Sequence, residues 1–208
     1  MKLPRSLSQG NLGQGVARLL VLLISAGLAL AVGHGRADRA AANEAAWETL
    51  RAGGSVAMMR HAQAPGVGDP ANFSLDDCAT QRNLSGAGRA QAARIGDAFR
   101  ANGVAVDLVL TSGWCRCVDT ARLAFGAAEV WPALHSFFRD STTERVQIEE
   151  TRAGVAAWTG PGTLVLVTHQ VNVTALTGIF PAEGEVIVLT PAPDRPAGFV
   201  VAGRVAIP

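Results

Sequence analysis

Apolar residues along this chain gather in short continuous runs, not in strict alternation with polar ones. "SVAMM" (Ser55 to Met59), "VDLVLTS" (Val106 to Ser112) and "TLVLVTH" (Thr163 to His169) have the length and apolar density of strands buried on both faces. "EVIVLTP" and "GFVVAGRVAI" predict two C-terminal strands, arranged as a hairpin or sheet edge. Helical patterns lie between these runs. "NEAAWETLRA" (43–52) predicts a short helix stopped by Gly53-Gly54. Ser85 can cap a helix reaching Ala101, with Ile95 and Phe99 on one face and Asn102-Gly103 at its end. "WCRCVDTARLAF" places Val118, Ala121 or Arg122, and Phe125 at helical spacing. "EVWPAL" reads as a short strand or extended segment, residues 141–158 as a polar helix, and a further helix follows His169 through Leu176. Residues 62–83 are rich in Gly, Pro, Asp and Asn and predict a long loop, of the kind that is functional or ordered by its own contacts.

Alternating strands and helices with continuously apolar strands predict a three-layer α/β/α domain around a mostly parallel sheet. In such sheets ligands bind outside the carboxyl ends of the strands. Three of the strands end in "MMRH", "LTSGWCR" and "LVTH". The topology therefore delivers Arg60, His61, Arg116 and His169 to one rim.

Composition narrows the class of ligand. The chain has 208 residues, 49% hydrophobic and 17% charged, with a net charge of +1 and no Tyr. It carries no global field for nucleic acid and little material for base stacking. Anion binding must come from a local cluster. Near the N-terminus, Lys2, Arg5 and Arg18 precede a charge-free apolar run from Leu19 to Gly33. That pattern predicts a secretory signal ending near Ala37; an uncleaved anchor, which would associate residues 19–33 with a membrane, is the alternative. Residues 1–37 are set apart on this reading, and residues 38–208 form one domain in the periplasm or outside the cell. In an oxidising compartment the three cysteines suggest one disulfide and one free thiol, with Cys78 bonded to Cys115 or Cys117. The close C-x-C pair has no second pair to complete a zinc site. No metal or other cofactor is expected.

Two arginines and two histidines on one rim suit a doubly charged anion, since Arg presents paired planar donors to phosphate oxygens. Phosphate binding alone would not need histidine. A neutral imidazole is a nucleophile that can attack phosphorus, while the arginines steady the equatorial oxygens. A second, protonated histidine can donate to the same oxygens, and a carboxylic acid should serve the leaving group.

"RHAQAP" resembles the R-H-x-x-x-P box of the histidine phosphatase superfamily, which has the phosphoglycerate mutase-like fold. "LTSGWCRCVDTA", "VLVTHQVNVTALTG" and "QRNLSGAGRAQA" resemble its later boxes and an intervening helix start, in order, from about Trp47 to Val205. The small exported members, without the long insertion of the mutases, are the nearer likeness. The resemblance implies that His61 is the phosphorylated nucleophile and that Arg60, Arg116 and His169 hold the phosphoryl group. It implies a metal-independent phosphatase; for an exported enzyme the expected substrate is a phosphorylated small molecule or envelope sugar. Where mutase-type members carry a glutamate proton donor this chain has Ser136, leaving Asp140 as the nearest acid and Glu144 as the next.

Each motif also has a plainer reading. Arg60-His61 alone is an ordinary surface pair at a strand end; the shared rim makes it a candidate site. Arg82 can reach the pocket from the long loop. Gln170, Asn172 and Thr174 can contact ligand or merely cap the helix after His169. Trp114 and Trp131 read as packing residues, and His135 as a loop histidine. The substitution of Ser136 for a glutamate keeps a second function open, a non-catalytic module that binds or senses a phosphoryl group.

Overall fold

The computed structural model describes residues 43–207. The apolar run at 19–33 and the expected boundary after Ala37 lie outside them. Among the described residues no helix is long and apolar enough to cross a membrane. Six strands form one sheet: β1 (Val56–Arg60), β2 (Val106–Thr111), β3 (Glu129–Val130), β4 (Thr163–Thr168), β5 (Val186–Pro191) and β6 (Phe199–Val205), in the order β3-β2-β4-β1-β5-β6. β1 to β4 run parallel; β5 is antiparallel to β1, and β6 to β5. The C-terminal hairpin thus extends the parallel sheet and forms one edge. The helices are α1 (43–52), α2 (Gly86–Ala101), α3 (Cys115–Phe125), α4 (Glu144–Ala156) and α5 (Gln170–Thr177).

The continuous apolar runs have a direct cause. Ala57, Met59, Val165, Val167, Val186 and Val188 face a core completed by Leu50 of α1, Phe99 of α2 and Ala121 of α3. Their neighbours Val56, Met58, Leu164, Leu166, Ile187 and Leu189 face a second core with Ile148 of α4 and Val173 of α5. Both faces of the sheet are therefore buried, and each large aliphatic side chain contributes roughly 1.5–3 kcal/mol by leaving water. Apolar faces on both sides leave the register weakly specified by hydrophobicity alone. Polar groups help to pin it: Ser55 Oγ and Thr163 Oγ1 meet at 3.2 Å where β1 and β4 begin.

Local sequence positions the helices. Ser85 Oγ accepts from the Gly88 N–H at 2.9 Å and caps α2. A Cβ on Gly88 would run into the Gln63 carbonyl, so glycine lets α2 start against the chain just beyond His61. The segment expected as one polar helix over 141–158 is a 3-10 turn at Ser141–Thr143 followed by α4, because Asp140 caps that turn. β3 is two residues long, and Pro132 opens a 3-10 turn immediately after it. Cys78 is disulfide-bonded to Cys115, with their Cα atoms 5.8 Å apart, and Cys117 is a buried free thiol.

Candidate active site

The strand register assembles the site. Arg60 pairs with Thr168 across β1 and β4, and Thr111 with Val167 across β2 and β4. The next residues, His61, Ser112 and His169, therefore leave the sheet side by side. His61 N–H donates to the Thr168 carbonyl and Ser112 N–H to the Val167 carbonyl, each at 2.9 Å. Arg116 follows in the first turn of α3, whose leading Cys115 N–H donates to Gln81 Oε1 of the long loop at 2.9 Å. Arg60, His61, Arg82, Arg116, Asp140, His169 and Gln170 line one cleft of about 610 Å³. Asn172 is not on that lining: it is buried, and its Nδ2 donates to the His135 carbonyl at 2.9 Å. Glu144 opens α4 as an exposed residue away from the lining.

His61 has a defined tautomer. Its Nδ1 lies 2.8 Å from the Ala62 carbonyl, which can only accept, so Nδ1 carries the hydrogen and Nε2 the lone pair. Burial, reinforced by Arg116, Arg82 and Arg60, pushes its pKa down to about 3 against the opposing pull of the Ala62 carbonyl. The ring is neutral near pH 7. His169 lies with its ring centroid 5.6 Å from that of His61. Its Nε2 is 2.8 Å from Ser112 Oγ and its Nδ1 3.4 Å from Arg116 Nη2. A guanidinium only donates, so Nδ1 is the accepting nitrogen and Nε2–H donates to Ser112. The imidazolium expected here is not what the fold favours. Burial first, then Arg116 and His61, hold the His169 pKa well below its ordinary value.

The arginines carry the charge of the cleft. Arg116 Nη1 and Nη2 donate to the two oxygens of Asp69 at 2.7 and 3.2 Å. Asp69 also accepts from the Arg82 N–H at 3.0 Å and from Trp114 Nε1 at 3.1 Å. Burial opposes the Asp69 charge, but these donors outweigh it and keep the carboxyl below its usual range. Arg60 donates to the Pro181 carbonyl and to Glu183 Oε1, both at 3.3 Å. Arg82 is held by the Gly68 and Ala64 carbonyls. Among the described residues, Arg60 Nε and Arg116 Nε are buried with no hydrogen-bond partner. Burial of such donors without an acceptor is costly, and an anion in the cleft is a natural partner for them.

Other groups are less suited to chemistry. Cys117 Sγ lies 3.6 Å from His169 Nε2, but burial pushes the thiol up to about 12, so it stays protonated. Among the described residues no group of three or more His, Cys, Asp or Glu side chains could hold a metal ion. Asp140 lies exposed on the cleft wall. Its Oδ1 accepts from Thr142 N–H at 3.0 Å and Thr142 Oγ1 at 2.6 Å, which hold its carboxyl below the usual range. Sequence reasoning missed Asp69, Glu183 and Ser112. Ser112 ends a rim strand, so the rule that found His61 also reaches it; nothing in the spacing marks Asp69 or Glu183. Trp114, expected to be a packing residue, both stacks on Phe73 and lines the cleft.

No family model and no curated protein matches the chain. Solved structures do resemble it. A single-residue variant of TTHB049 from Thermus thermophilus is 16% identical over 74% of this chain and 99% of its own, with a TM-score of 0.50. A candidate alpha-ribazole-5'-P phosphatase from Escherichia coli is 18% identical over 71% of this chain and 94% of its own, with a TM-score of 0.51. A candidate phosphohistidine phosphatase SixA from Agrobacterium tumefaciens is 21% identical over 73% of this chain and 97% of its own, with a TM-score of 0.48. At such identities the likeness speaks for the fold and leaves the chemistry to the residues. The chain has the phosphoglycerate mutase-like α/β fold that it shares with the first two of these proteins.

Proposed function

We propose that this protein is a phosphatase that hydrolyses a phosphomonoester through a phosphohistidine on His61. One observation carries the reading: a neutral imidazole with its Nε2 lone pair free of any partner among the described residues, on a cleft lined by Arg60, Arg82, Arg116 and Arg139. The structures it resembles include a candidate phosphatase, which is compatible with the same chemistry.

In the proposed reaction Arg60 and Arg116 turn their unpartnered Nε–H groups to the phosphoryl oxygens. Nε2 of His61 attacks phosphorus, the P–N bond forms, and the ester P–O bond breaks with its electron pair passing to the leaving oxygen. Asp140, the exposed carboxyl on the cleft wall, supplies the proton to that oxygen. An approaching dianion raises the pKa of a nearby carboxyl and so favours the protonated form required here. Water then attacks phosphorus, Asp140 takes its proton, and the P–N pair returns to Nε2. Gln170 orients the phosphoryl group, and His169 does so when its Nε2–H turns from Ser112 to a phosphoryl oxygen. The products are an alcohol and inorganic phosphate, and no redox partner is needed.

The substrate is a phosphorylated small molecule; export would bring envelope sugar phosphates within reach, and the walls of the cleft decide between such a sugar and a more apolar alcohol. Export rests on the basic-then-apolar N-terminus and is compatible with the Cys78–Cys115 disulfide. The ionised, Thr142-bound state of Asp140 favours one other reading, a module that binds a phosphoryl group without cleaving it. Turnover of p-nitrophenyl phosphate by the full chain, compared with His61→Ala, separates them. Loss of at least about a thousandfold in kcat is expected for the variant, in line with removal of a covalent nucleophile. Wild-type protein that binds phosphate and releases none from any phosphomonoester supports the binding module instead.

A further inference from the structure

The cleft holds more than a phosphate. Among the described residues the three most exposed large apolar side chains are Val67, Phe180 and Phe138, at 89%, 69% and 57%. All three line this one cleft. They arrive from three separate connections: Val67 after β1, Phe138 after β3, and Phe180 after α5. Phe73 and Trp114 continue the wall inward. Their rings stack at 5.2 Å, and Trp114 meets the edge of His169 at 5.3 Å. Apolar side chains therefore line the cleft both beside the candidate phosphoryl site and at its mouth, with Ser136, Arg139 and Asp140 on the same lining. Single exposed apolar residues need no explanation, but their convergence on one concave surface does.

From this wall we infer that the alcohol portion of the substrate is a bulky, uncharged apolar group, an alkyl or aryl alcohol, not a sugar. The inference rests on the phosphatase reading for its phosphoryl end. A sugar of similar size would set several hydroxyls against Val67, Phe138 and Phe180, which offer them no side-chain hydrogen-bond partner. Arg139 and Asp140, polar neighbours of Phe138 on the same lining, are already engaged, Arg139 by the Pro70 carbonyl and Asp140 by Thr142. An alkyl or aryl group covers those side chains and removes their surface from water. The apolar side chains and the arginines line one cleft, which selects this occupant, since the same ligand reaches both.

Methyl-, n-butyl- and n-octylphosphonate, together with glucose 1-phosphate, are titrated calorimetrically into the full-length protein. Octylphosphonate is expected to bind at least about 30-fold more tightly than methylphosphonate, well short of the gain from burying every methylene fully. The triple variant Val67→Ser, Phe138→Ser, Phe180→Ser should lose that dependence on chain length while binding methylphosphonate as before. All three positions are exposed, so the substitutions leave the core intact. Equal affinity for methyl- and octylphosphonate, or glucose 1-phosphate binding as tightly as octylphosphonate, overturns the inference, even in a protein that proves to be a phosphatase. Tight octylphosphonate binding without turnover of any phosphomonoester keeps the apolar subsite and overturns the phosphatase reading alone.

Discussion

His61 is neutral because it is buried among arginines, and that has a thermodynamic signature. Its pKa is about 3 in the fold against an ordinary value of 6.5. Between those two values the unfolded chain binds a proton that the folded chain does not. Stability is therefore full above about pH 6.5 and falls as pH falls toward 3, by up to about 1.4 kcal/mol per pH unit for each such histidine. His169 is shifted in the same direction and adds to the slope. Urea unfolding between pH 7 and pH 5 should show the midpoint falling, with His61→Gln reducing the slope by about one proton. A midpoint that does not move over that range contradicts the buried neutral pair. At this scale the sequence carries the rim residues well, because Arg60, His61 and His169 sit at or just past strand ends. It does not carry Asp69 or Glu183. Each reaches its arginine across the tertiary fold, from loops whose paths no local pattern encodes.

The long loop after β1 is an element held by three kinds of tie. Its disulfide joins Cys78 to Cys115 across 37 residues, Gln81 accepts from the first N–H of α3, and Asp69 grips Arg116. The loop thus carries Asp69 and Arg82 into the cleft and steadies the helix that presents Arg116. Closing a loop of this length stabilises the fold by about 2–4 kcal/mol. Reduction of the disulfide, or Cys78→Ser, should lower Tm by several degrees and raise the KM for a phosphomonoester more than it lowers kcat. An unchanged KM on reduction would mean that the disulfide has no part in shaping the cleft. The strands and helices are legible as runs and caps, for example Ser85 at the head of α2. Spacing narrows Cys78 to two partners, and only the fold distinguishes them: Cys117 points into the core beside His169, while Cys115 meets the loop.

For the whole molecule, export and catalysis stand on separate supports. Export predicts that protein recovered from the cell envelope begins at Asp38 by N-terminal sequencing; recovery with Met1 intact in the soluble cytoplasmic fraction contradicts it. The layered architecture follows from apolar runs that alternate with helical patterns, because burial on both faces of a sheet leaves that mark on its strands. The identity of the proton donor does not follow, since Asp140 and Glu144 are both carboxylic acids and only the path of the chain between them and the cleft tells them apart. The central claim is a covalent phosphoryl group on His61. Rapid quenching under alkaline conditions during turnover, followed by peptide mass spectrometry, measures it directly. The account predicts an acid-labile phosphoryl group on His61, formed and discharged at rates no slower than turnover. Hydrolysis that proceeds with no phosphoryl group on His61, or with one on another residue, would contradict it.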